Sequence, residues 1–62
     1  MMTNQQMDKL IRAGQPVKFV NTHFQEEFTA TPVSRKRGKA LVRAESGYEA
    51  ELYVDELEIK GE

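Results

Sequence analysis

The densest chemistry in this chain is cationic, because Arg35, Lys36, Arg37 and Lys39 fall together in the run Ser34-Arg35-Lys36-Arg37-Gly38-Lys39. Such a cluster on a hairpin tip can meet the phosphates of RNA or DNA, where released counterions supply much of the affinity. Arg43 and Lys18 widen the patch if they surface nearby. A merely solvated tip is the plain alternative for any charge run. Residues 33–43 contain no acid, whereas residues 45–62 hold seven acids against the single base Lys60, a local balance of one minus seven, or −6. The net charge of −1 therefore hides two opposed segments, and it argues against a nonspecific nucleic-acid coat.

The acids Glu45, Glu49, Glu51, Asp55, Glu56 and Glu58 can imitate nucleic acid toward a basic protein or answer the basic tip of a neighbouring copy. They show no Asp-x-Asp-x-Asp-Gly spacing, so a calcium loop is not expected. Phe19, Phe24, Tyr48 and Tyr53 have the ring types for a base-stacking platform or a peptide groove. Alternation assigns the first three to the core and Tyr53 to the opposite face, diagonal to Leu41. A protein-binding surface of Leu41, Tyr53, Glu49, Glu51 and Asp55 is thus the rival to the basic tip.

Catalysis finds little to work with. His23 is the only histidine, and with no cysteine in the chain it makes a poor metal ligand. Ser34 and Ser46 lie in expected turns without a nucleophile-elbow motif, and no phosphate-binding or dinucleotide glycine motif occurs. A chain of 62 residues has scant room to enclose a substrate. The expectation is a non-enzymatic binding module with no cofactor and no metal, its partner being RNA, DNA or a protein.

The elements that must carry these residues follow from periodicity. Thr3-Asn4-Gln5-Gln6 reads as a helix start with Thr3 and Gln6 in a capping box. Met7, Leu10 and Ile11 make one apolar stripe, and Gly14 with Pro16 ends the helix, giving about residues 4–13. The stripe is expected to cover one open end of the strands. Five strands follow: Val17 to Val20, a bent Phe24 to Val33, Lys39 to Glu45, the alternating run from Tyr48 to Val54, and Leu57 to Ile59 after a tight Asp55-Glu56 turn. Lys36-Arg37-Gly38 and Glu45-Ser46-Gly47 both fit three-residue hairpin loops with a left-handed glycine third. These loops set Pro32 opposite Val42 and Ala30 opposite Ala44, then Val42 opposite Ala50, Ala40 opposite Leu52 and Arg43 opposite Glu49. One core face serves all three strands.

Five short strands with a central meander describe a mainly β, five-stranded SH3-like barrel at about residues 16–60, preceded by one short helix. An open three- or four-stranded sheet with the helix packed across it is the alternative. Gly14-Gln15-Pro16-Val17-Lys18-Phe19, Ala30-Thr31-Pro32-Val33, Gly38, Val42, Ser46-Gly47, Val54 and Leu57 resemble the strand and turn positions of SH3-like and KOW-type barrels. The stretch 14–60 is particularly similar to the Tudor-like C-terminal domain of ProQ-type RNA chaperones. That resemblance implies the barrel and binding to RNA, DNA, ribosomal surfaces or protein segments. The acidic last third departs from the basic members of that group.

Length bounds the whole chain, 1–62, to one domain, near the size at which a single core is only marginally stabilising. Self-association into a homo-oligomer would help such a core. No wholly apolar run exceeds three residues, so no membrane span or signal peptide is expected. The lack of cysteine fits a reducing compartment, and the cytoplasm is the expected location.

Overall fold

Thr3 opens the structure as sequence chemistry requires. Its side chain accepts from the Gln6 N–H, and the Gln6 side chain accepts from the Thr3 N–H, closing the capping box of helix α1 (Asn4–Ala13). Gly14 ends the helix at φ 68°, a left-handed conformation that glycine adopts without steric cost, and its N–H returns to the Leu10 carbonyl. The computed structural model describes residues 1–60. Gly61 and Glu62, the latter the last acid of the acidic stretch, lie outside the described residues. Among those described, no helix is long and apolar enough to cross a membrane.

Five antiparallel strands form one sheet: β1 (Val17–Asn21), β2 (Glu26–Lys36), β3 (Lys39–Arg43), β4 (Glu49–Tyr53) and β5 (Leu57–Ile59). Their order is β4-β3-β2-β1-β5. The chain is mainly β with a single helix, as expected, but the sheet is open. β4 and β5 are its two edges, and among the described residues no ladder joins them.

The bend in β2 organises this sheet. Glu26 to Ala30 pairs with β1, and Thr31 to Lys36 pairs with β3. Pro32 sits at the changeover, where its missing N–H can serve no ladder bond, and the register slips beside it at Val33. This bulge corrects the expected first hairpin. Lys36 pairs directly with Lys39, so the connection is only Arg37-Gly38, and Arg37 itself takes the left-handed conformation at φ 57°. The extra residue of β2 lies at Val33, not in the loop. Pro32 still faces Val42, because the bulge supplies the offset expected of a loop glycine. Ala30 pairs with Val17 instead of Ala44.

The second hairpin matches its expectation residue for residue. Arg43 faces Glu49, Val42 faces Ala50 and Ala40 faces Leu52. Gly47 takes φ 94°, the Ala44 N–H donates to the Tyr48 carbonyl at 2.8 Å, and the Gly47 N–H donates to the Ala44 carbonyl at 2.9 Å. A 3-10 turn, Val54–Glu56, occupies the expected tight turn before β5. Strand ends shift by a few residues from expectation. Phe24 falls in the turn before β2, β2 runs on to Lys36, β3 stops at Arg43, and β4 begins at Glu49.

The core joins helix to sheet. Met2, Met7, Phe19, Ala30, Ala40, Val42, Val54 and Leu57 are buried together, with Leu10 and Ile11 of α1 packed against them. The helical stripe thus covers one part of the apolar face, and α1 lies along β2. The other part of that face stays open.

Candidate functional site

Two features stand out on the surface, and both involve β4. The first is the hairpin tip. Lys36, Arg37, Gly38 and Lys39 share a hollow with Tyr53 and Glu51. The register places Lys39 opposite Tyr53, and the Lys39 ammonium sits 5.2 Å from the Tyr53 ring centroid. Tyr53 remains 52% exposed. The sequence assigned Tyr53 to one candidate surface and the tip cations to another, whereas the fold brings them into one place. The signal was present in the register, because a three-residue second loop already sets residues 39 and 53 in opposition.

The five candidate cations do not share one environment. Lys36, Arg37 and Lys39 are exposed and form no ion pair among the described residues. Arg35 is turned toward the helix. Its Nε lies 2.6 Å from Asp8 Oδ1 and its Nη2 lies 2.8 Å from Asp8 Oδ2, a two-pronged pair, while Nη1 donates to the Arg37 carbonyl. The bulge at Val33 explains this: it reverses which side chains at the tip face the helix side, and Arg35 pairs with the buried Ala40. Hydrogen bonding from Arg35, reinforced by its charge and opposed by burial, holds the Asp8 carboxyl below the usual carboxylate range. The same bond raises the Arg35 guanidinium above its ordinary value. Arg43 is occupied too, with a nitrogen 2.6 Å from Glu49 Oε2.

The rival acidic surface is also divided. Glu49 belongs to that ion pair, Glu51 faces Leu41 across the ladder, and Tyr53 belongs to the tip hollow. Asp55 is exposed on the 3-10 turn, and Leu41 is half-buried.

The second feature is a groove on the open part of the apolar face. Phe24 and Phe28 form one side, Tyr48, Ala50 and Leu52 the other, with Val42 and Ala44 between. Here the sequence assignment needs correction: Phe19 is fully buried, but Phe24 is 65% exposed and Tyr48 is 72% exposed. Each flanks a turn at the end of the sheet where no helix covers it. Asn21 shapes the Phe24 side. Its buried side-chain oxygen accepts from the His23 and Phe24 N–H groups at 3.0 and 3.2 Å and so fixes the turn that carries Phe24. His23 meets the Phe24 ring edge-on at 4.7 Å. Ser46 takes part in the β3–β4 turn, accepting from the Tyr48 N–H, and Ser34 is exposed on β2.

Comparison with protein-family models, curated proteins and solved structures finds no match.

Proposed function

We propose that the protein is a non-catalytic module that binds single-stranded nucleic acid through the hairpin tip. The observation that carries this reading is the hollow that Lys36, Arg37 and Lys39, none of them in an ion pair among the described residues, share with the half-exposed Tyr53 ring. Cations contact the phosphates, and the ring supplies a stacking surface that tolerates any base. Glu51 lines the same hollow and repels a phosphate brought close to it. Arg35 and Arg43 take a supporting part, since each already holds a carboxylate. The resemblance to the Tudor-like domain of RNA chaperones supports the same reading, and a cytoplasmic location would give access to RNA.

Fluorescence anisotropy with labelled RNA and DNA oligonucleotides at two salt concentrations tests it. Replacing Lys36, Arg37 and Lys39 by Ala should reduce the slope of log K against log salt by roughly 0.7 for each lost contact with a single strand. Tyr53→Ala should weaken single-strand binding by about 1–3 kcal/mol while leaving that slope unchanged. Absence of binding by the unaltered protein at low salt, where even weak electrostatic contact registers, would overturn the reading.

A further inference from the structure

The edge of β4 is a separate resource, and the ladder to β3 fixes which of its backbone groups face outward. The Ala44 N–H donates to the Tyr48 carbonyl and the Val54 N–H donates to the Gly38 carbonyl, both across the β3–β4 ladder. In an antiparallel ladder bonded and non-bonded pairs alternate, so the even-numbered residues of β4 turn their backbone groups toward β3. Glu49, Glu51 and Tyr53 therefore point their N–H and C=O groups away from the sheet. Among the described residues β4 has no neighbour on that side. The opposite edge differs, since the Met2 N–H donates to the Leu57 carbonyl of β5 at 3.2 Å.

The free edge borders the aromatic groove, because Ala50 and Leu52 of β4 form one of its walls. A strand laid against β4 would thus place alternate side chains on the face of Ala50 and Leu52, where they extend that wall of the groove. Its other side chains would fall on the outer face, beside Glu49 and Glu51. Glu51 has no ion pair among the described residues, though it lines the tip hollow with Lys36, Arg37 and Lys39, and Glu45 in the turn before the strand and Asp55 after it have none either. Those charges select the occupant. A second copy paired antiparallel about Glu51 would set two carboxylates in direct opposition, which is unfavourable in a sheet. An incoming strand with cations at these positions is favoured instead.

We propose that the β4 edge and the groove beside it dock an extended segment of a basic partner protein, with apolar residues at alternate positions and Lys or Arg between them. Main-chain bonds to Glu49, Glu51 and Tyr53 supply affinity, the groove reads the apolar residues, and Glu51 reads the cations. This site does not depend on the nucleic-acid reading of the tip.

The probe is a capped peptide of about nine residues alternating Val and Lys, long enough to overlap all of β4. Nuclear magnetic resonance should show saturable shifts and slowed amide exchange at Glu49, Glu51 and Tyr53, with shifts of the Phe24, Phe28 and Tyr48 rings. Glu51→Pro removes an outward N–H without breaking a bond to β3, and it should weaken the peptide about tenfold. Glu51→Lys should weaken it as well, and should admit an alternating Val and Glu peptide that the unaltered protein rejects. Preserved amide protection at Val42 and Leu52 checks that each variant is folded. No binding at low salt, a footprint away from β4, or affinity unmoved by both variants would overturn the proposal. So would protection of the same amides by self-association without peptide, since that assigns the edge to a second copy.

Discussion

Truncating Tyr48 to Ala tests whether the sheet is open where the structure places the groove. Tyr48 is 72% exposed, so folding removes little more than a quarter of its surface from water. A fully enclosed aromatic side chain buries roughly 200 Å². A quarter of that, at about 25 cal/mol per Å², is worth about 1 kcal/mol. Phe19 is the reference. It is fully buried, with its ring 5.6 Å from that of Phe28, and Phe19→Ala should cost about 3–5 kcal/mol. A domain of this length has a total stability of about 3–9 kcal/mol, so the Phe19 variant should lose between about a third and all of it. Each kcal/mol moves Tm by about 4–8 °C in so small a domain, and Tyr48→Ala should melt within that distance of the unaltered protein. Thermal melts followed by far-ultraviolet circular dichroism measure both. A loss of about 3 kcal/mol or more for Tyr48→Ala would refute the open groove, because only an enclosed ring can be worth so much.

Three further outcomes follow from the described contacts. Val42→Asp places a carboxylate in the core at a cost of several kcal/mol and should abolish the cooperative melt. Gly47→Ala forces an L residue to φ 94° in the β3–β4 turn and should cost about 1–3 kcal/mol by chemical denaturation. The carboxyls of Asp8 and Glu27 are both held below the usual range, Asp8 by the hydrogen bond from Arg35 and Glu27 by that from Lys60. A depressed folded-state value means their contribution is complete above the ordinary value near 4 and is lost as pH falls through the folded one. Denaturation at stepped pH should show stability declining below about pH 4, and Asp8→Asn should flatten that decline.

Local patterning was enough to place most elements, because their signals were redundant. The Thr3 and Gln6 box, the left-handed Gly14 and the Met7, Leu10 and Ile11 stripe all marked the same helix. The β3–β4 register was legible because Gly47 and the alternation from Tyr48 to Val54 agreed. The first hairpin failed where two residues competed to absorb one extra position. Gly38 had the usual loop chemistry, but Pro32 lacks an N–H, and the bulge settled beside it at Val33. A slip of one residue near the tip was sufficient to send Arg35 to Asp8. Nothing in the local pattern pointed to that contact, which joins residues 27 positions apart. Exposure of Phe24 and Tyr48 was hidden for a different reason. Alternation reports which face a residue occupies, not whether anything covers that face, and a helix of ten residues is too short to cover all of it.

The same limit governs charge. The sequence separates a basic segment from an acidic one, but consecutive strands fold back on each other, so opposite charges meet across the β3–β4 ladder. Arg43 is neutralised by Glu49 on that ladder, and Arg35 is neutralised by Asp8 from the helix. What survives is smaller and better localised than either segment suggests. Lys36, Arg37 and Lys39 remain at the tip, while Glu51, Asp55 and Glu45 remain along and beyond the β4 edge. A five-residue strand spans about 17 Å, and ionic screening acts over about 8 Å at physiological salt. Even so, the tip and the edge overlap: Glu51 lines the tip hollow and Asp55 follows Val54, whose N–H donates to the Gly38 carbonyl, so of these three acids only Glu45 stands at the far end. Glu51 and Tyr53 stand where the two meet, so a ligand at the tip and a strand on the edge would be coupled through these two residues more than through any others.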